Sequence, residues 1–104
     1  MSVLVQMAMF PTDKSESKAK DVSKVIDVIR SSGYSYQLTS MCTIIETEKM
    51  SEALELIGNC YKVLEDAGCN RVYSTITFDI RKNHENRIEQ KIKSVEKYIG
   101  EVSK

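Results

Sequence analysis

The chain has 104 residues, room for one hydrophobic core. Its 15 basic and 15 acidic residues give a formal net charge of +0, and 41% of the residues are hydrophobic. That balance argues against a dedicated binder of nucleic acid or anionic membrane, and no apolar run reaches the roughly 18 residues of a membrane span.

Met1-Ser-Val-Leu-Val has no basic n-region and no cleavage site, so no signal peptide is expected and the cytoplasm is the expected location. Ser2 to Phe10 is nearly continuous in apolar residues, as in a central strand covered on both faces. Val3, Val5, Met7 and Met9 fall on one side; Leu4, Gln6, Ala8 and Phe10 fall on the other. Pro11 ends the run because it cannot donate to a ladder. In the polar connector, Asp13 with Glu16 has capping-box spacing, and Ser15 and Ser17 are further caps.

A helix to about Ser31 follows, with Val22, Val25, Ile26 and Ile29 as its stripe and Gly33 as its stop. Strands at 34–39 and 42–48 flank a turn near Ser40. The next helix begins near Glu48, with Thr47 or Ser51 as cap and Gly68 as stop. Its predicted stripe is Met50, Ala53, Leu54, Ile57, Tyr61 and Leu64. Residues 71–81 alternate cleanly, Val72, Ser74, Ile76, Phe78 and Ile80 against Tyr73, Thr75, Thr77 and Asp79. After a turn at 82–86, Ile88, Ile92, Val95, Ile99 and Val102 form a narrow stripe suited to a sheet edge or a partner helix.

Cys42, Cys60 and Cys69 show no C-x-x-C spacing and are expected to be free, buried thiols. With one histidine, His84, no zinc site is expected. The order strand, helix, strand, strand, helix, strand predicts an α+β, ferredoxin-like βαββαβ sandwich with a four-stranded antiparallel sheet, an extra C-terminal helix and a single domain over 1–104. Two helices cover one face. The other face keeps Leu4, Ala8 and Phe10 beside Gln6, Tyr73, Thr75 and Thr77, so pairing of two copies through their sheets is expected, with the last helix adding contacts.

The hairpin concentrates polar groups: Gln37, Thr39, Ser40, Thr43 and Glu46. They could read the donors and acceptors of a planar heterocycle, with Met and aromatic neighbours as walls. They could equally be good strand and turn residues. Asp79 and Arg81 share a face and could hold a ligand charge, but an ion pair is the simpler reading. His84-Glu85 has no nucleophile near it in sequence, and Gly-rich phosphate loops are absent.

Several motifs, in order, carry a resemblance. They are Met9-Phe-Pro11, the Gly-Tyr-x-Tyr-x-Leu-x-x-Met segment from Gly33 to Met41, Thr-x-Ile-Glu from Thr43 to Glu46, Arg71-Val72, and Asp79-Ile-Arg81. The chain resembles the small thiamine-binding, YkoF-like proteins over essentially its whole length. Relatives typically follow Ile-Glu with a glycine, an acidic residue and often a tryptophan; here Thr47, Glu48 and Met50 stand in that segment, without the glycine.

The resemblance implies a ferredoxin-like fold and homodimers through the sheets, often assembled into homotetramers. It implies binding of thiamine or its hydroxymethylpyrimidine part at an intersubunit sheet face, no enzymatic step and no further cofactor. The ligand-binding residues it points to are Thr43 and Glu46 first, with Met41 beside them. Ser40, Thr39, Gln37, Gln6, Phe10 and Tyr73 stand around these, and Arg71, Asp79 and Arg81 are charge contacts. Glu46 would accept from the pyrimidine amino group and Thr43 would satisfy a ring nitrogen. Phe10, Tyr36 or Tyr73 would favour the thiazolium cation by about 0.5–2 kcal/mol. The alternatives are an oligomeric regulatory module for another small metabolite and a small enzyme acting on a pyrimidine.

Overall fold

The apolar run at the start of the chain becomes β1 (Ser2–Pro11), the strand on which the rest is laid. The computed structural model describes residues 1–13 and 18–104. After β1 come α1 (Lys18–Ser31), β2 (Ser35–Leu38), β3 (Thr43–Thr47), α2 (Met50–Asp66), β4 (Val72–Arg81) and α3 (Arg87–Ile99). The four strands form an antiparallel sheet in the order β2-β3-β1-β4, the split arrangement expected for a ferredoxin-like sandwich.

Register fixes the two faces. Val3 lies across from Thr47 and Ile80, Val5 from Ile45 and Phe78, and Met7 from Thr43 and Ile76. This is the core face. α1 adds Val25 and Ile29 to it, and α2 adds Ala53, Leu56, Cys60 and Leu64. Burying such aliphatic side chains contributes about 1.5–3 kcal/mol each. Burial also pushes the Cys60 thiol up to about 11, consistent with a small hydrophobe rather than a nucleophile.

Two expectations for the helices are corrected. Leu54 and Tyr61 of α2 are exposed, and Leu56 and Cys60 occupy the buried stripe instead. The helix is rotated so that Ala53, Leu56, Cys60 and Leu64 form its buried side. Its first turn is closed by Glu52, whose carboxylate accepts from the Lys49 N–H at 2.9 Å, while the Thr47 hydroxyl donates to the Lys49 carbonyl at 2.9 Å. The caps expected at Ser15, Glu16 and Ser17 lie outside the described residues. Gly33 and Gly68 follow α1 and α2 at φ +85° and +80°, left-handed values that explain glycine there.

On the second face, Leu4 lies across from Glu46 and Asp79, Gln6 from Ile44 and Thr77, Ala8 from Thr75, and Phe10 from Tyr73. Phe10 and Tyr73 stack with ring centroids 5.8 Å apart. Neither α1 nor α2 covers this side. α3 lies against β3, β1 and the edge strand β2, and its first turn is anchored there by Arg87.

Candidate functional site

A strand's side chains alternate, so residues three apart point to opposite faces. Thr43 and Glu46, expected to hold one ligand together, are therefore separated by the sheet. Thr43 faces the helices across from Met7 and Leu38; Glu46 faces the other way, across from Leu4 and Ser35. The expected residues fall into three places.

The first is a notch at one end of β3. β1 pairs with β3 only as far as Met7, yet continues beside β4 to Pro11. Ala8 to Phe10 therefore have no strand on the β3 side. A cavity of about 150 Å³ fills that space, lined by Phe10, Thr39, Ser40, Met41 and Thr43 from the expected set, with Met7, Met9 and Cys42. α1 closes it with Val22, Val25 and Ile26.

The hydroxyls in this notch differ. Thr39 ties the turn: it donates to the Cys42 carbonyl at 2.9 Å and accepts from the N–H groups of Cys42 at 3.1 Å and Met41 at 3.3 Å. It is the turn residue of the plainer reading. Thr43 is only 4% exposed, and its hydroxyl has no side-chain hydrogen bond among the described residues. No polar side-chain atom among them is sealed away without a partner. The Thr43 oxygen is therefore reached from the cavity. Met41, 87% exposed, stands at the mouth.

The second place is the Glu46 end of the sheet, where a buried polar cluster holds α3. The Ser2 hydroxyl donates to the Glu46 carboxylate at 2.5 Å. The backbone N–H groups of Arg87 and Ile88 donate to it at 3.0 and 3.3 Å. Arg87 is buried and donates from Nε to the Ser2 hydroxyl and from Nη2 to the Ser2 carbonyl, both at 2.9 Å. It also donates to the Asp79 carbonyl and pairs with the Asp79 carboxylate at 3.0 Å. Burial raises the Glu46 carboxyl, but the Ser2 hydroxyl, the two N–H donors and the Arg87 charge outweigh it and hold it below its ordinary value. Glu46 thus serves as the anion at the N-terminus of α3.

Beside it opens a larger cleft of about 480 Å³ whose walls include Tyr34, Glu46, Glu48, Glu52 and Glu85. Partial burial, then the negative charges of Glu52 and Glu55, raise the Tyr34 phenol above its ordinary value.

The third place is the open face, which holds Gln6, Gln37, Tyr73, Asp79 and Arg81. Asp79 pairs with Arg87 rather than Arg81. Arg71 lies just before β4 and is exposed, and its carbonyl accepts from Thr12 at 2.9 Å. Ser2 and Arg87, 85 residues apart, were not singled out from the sequence. No local motif marks them. Met7 and Met9 share the face of Thr43 by strand parity, but the register that sets Met7 across from Thr43 comes only from the folded sheet.

Comparison with known proteins adds identity to geometry. A family model described as thiamine-binding protein matches residues 5–96. A UPF0045 protein of Mycobacterium bovis is 30% identical over 99 residues, covering 95% of this chain and 96% of its own length. One from Methanocaldococcus jannaschii is 31% identical over 94 residues, covering 89% and 91%. The crystal structure of a hypothetical protein from that archaeon matches with a TM-score of 0.77 at 30% identity, over 90% of this chain and 95% of that one. A candidate thiamine biosynthesis/salvage protein from Thermotoga maritima matches with a TM-score of 0.78 at 19% identity, over 91% and 99%, a likeness of fold.

Proposed function

The chain belongs to the thiamine-binding protein family, and from that premise we propose that it binds thiamine or its hydroxymethylpyrimidine part, without transforming it, in the notch at the end of β3. The observation that carries this reading is the Thr43 hydroxyl: buried, without a side-chain hydrogen bond among the described residues, and opening onto a cavity of ring size. Such a group costs stability unless something completes its hydrogen bonding, and a ring nitrogen would do so. The thioethers of Met7, Met9 and Met41 and the Phe10 ring supply the flat, polarisable walls that suit a heteroaromatic plane. The β1 edge beyond Met7 adds backbone N–H and C=O groups with no strand beside them, a donor and acceptor pair for an aminopyrimidine edge.

Phe10 and Ala8 also belong to the open sheet face, so the notch borders the surface proposed to join two copies. Leu4, Ala8, Ile44 and Tyr73 lie on that face without helices α1 and α2 above them, and a net charge of +0 sets no repulsion between copies. The role that fits is a carrier or buffer that presents its ligand unchanged.

Titration calorimetry of wild type, Thr43→Val and Glu46→Gln with thiamine and with hydroxymethylpyrimidine tests the assignment. Thr43→Val weakens binding roughly five- to tenfold, the worth of one buried hydrogen bond of about 1–1.4 kcal/mol. Glu46→Gln, remote from the notch, leaves affinity within twofold. No binding heat with either compound, or equal loss in both variants, overturns the reading.

A further inference from the structure

We infer that α3 and the tail behind it form one arm, latched to the sheet at a single cluster, which swings off the second sheet face as a unit while the βαββαβ sandwich stays folded.

The latch is the first reason. Among the described residues, every hydrogen bond and ion pair that joins residues 87–104 to the sheet ends on Arg87 or Ile88. Their partners Ser2, Glu46 and Asp79 belong to one network, since the Ser2 hydroxyl accepts from Arg87 and donates to Glu46. Removing one member strands a buried charge or donor, so the latch holds or gives way whole.

Beyond the latch, the polar contacts stay within the arm. The Glu96 carboxylate accepts from the Val102 N–H at 3.0 Å and from Lys104 Nζ at 2.9 Å, and the Glu96 carbonyl accepts from the Gly100 N–H at 2.8 Å. Lys93 pairs with Glu89 at 3.7 Å. These contacts travel with the arm and do not resist its opening. Apolar adhesion is thin: Ile88 and Ile92 are half-buried, whereas Val95, Tyr98 and Ile99 are exposed.

A hinge stands before the latch. Asn83 and Asn86, in the exposed turn that leads into α3, have φ of +62° and +54°, left-handed values that asparagine tolerates. Rotation there moves the arm without breaking the β1–β4 ladder, which ends at the Ser2–Arg81 pair. Beneath the arm lie β1, β3 and β2. Leu4, across from Glu46, and Ile44, on the same face, are half-buried with the arm in place. Opening bares this end of the face, so the arm governs how much of it another chain can reach.

Native-state hydrogen exchange of the whole chain, read by NMR at increasing urea, tests the arm. In wild type, the amides of Arg87, Ile88 and residues 91–97 exchange together, roughly tenfold or more faster than those of Val5 and Ile45, and with little dependence on urea. Glu46→Gln speeds the arm by roughly a further tenfold. Ile29→Val, in the core, speeds Val5 and Ile45 by roughly two- to tenfold and leaves the arm unchanged, because the opened state keeps its core. Arm amides that follow urea as steeply as Val5, or that speed up with Ile29→Val, overturn the inference by showing a single cooperative unit. Arg87 and Ile88 amides as protected as the core, below a loose C-terminal half, overturn it as simple fraying. Arm exchange that ignores Glu46→Gln overturns the latch. The wild-type urea series decides alone if either variant does not fold.

Discussion

Glu46 and Thr43 sit three residues apart in one strand and do different work. The carboxylate of Glu46 is taken up by Ser2 and the first N–H groups of α3, whereas the Thr43 hydroxyl is left open to a cavity. Their separation was legible in the sequence, because an odd spacing on a strand sends side chains to opposite faces. What no spacing could reveal was the partner of Glu46. Arg87 comes from a helix 41 residues downstream, and only the folded chain brings its backbone to the carboxylate. The charge on Glu46 has a consequence for acid stability. Its folded-state carboxyl is held below the ordinary value of 4.5, so the unfolded chain takes up the proton first. The stabilisation is complete above that ordinary value and is lost as pH falls through the lowered folded-state value. Urea midpoints of wild type and Glu46→Gln should therefore differ near neutrality and converge in strong acid. A gap independent of pH would contradict this role.

At the scale of elements, α3 is an arm held at its root. Arg87 and Ile88 are tied to β1, β3 and β4, while Val95, Tyr98 and Ile99 further along remain exposed. Its heptad-like stripe correctly marked the helix, and Ile88 and Ile92 of that stripe are half-buried, but the first turn is attached differently. The attachment is polar and buried, a kind of contact that hydrophobic periodicity does not register. Arg87→Ala should cost about 2–3 kcal/mol, since several hydrogen bonds to a charged group vanish and the carbonyls of Ser2 and Asp79 lose their donor. A urea midpoint unchanged from wild type would show the anchor to be dispensable. β4 was readable almost to the residue because its alternation is clean, and β1 because its apolar run is closed by Pro11. The rotation of α2 was not: its apolar residues are too many to choose one face, and packing buried Ala53, Leu56, Cys60 and Leu64.

For the whole molecule, the described chain is elongated, 46 × 29 × 21 Å with a radius of gyration of 15.0 Å. A compact chain of about 100 residues has roughly 13 Å. The excess fits a chain whose α3 projects and whose second sheet face has no layer above it. No helix among the described residues is long and apolar enough to cross a membrane. Light scattering should give the mass of a dimer or a higher multiple for wild type. Tyr73→Glu, an exposed position on the uncovered face near the start of the edge strand β4, should shift that mass toward the monomer without changing the unfolding free energy of the protomer by more than about 0.5 kcal/mol. A wild-type monomer would leave the second face as plain surface.

The end of the β1–β3 ladder at the Met7–Thr43 pair, where β3 begins, makes the hairpin's length a dial for the cavity. If the ladder ran two residues further, Met41 and Cys42 would zip against Ala8 and Met9, every side chain would keep its face, and the space would close. A shift of one residue would instead turn Ile45 out of the core and Glu46 into it. Hairpin length can therefore vary only in steps of two, and each step changes what the notch can hold while leaving the sandwich around it intact.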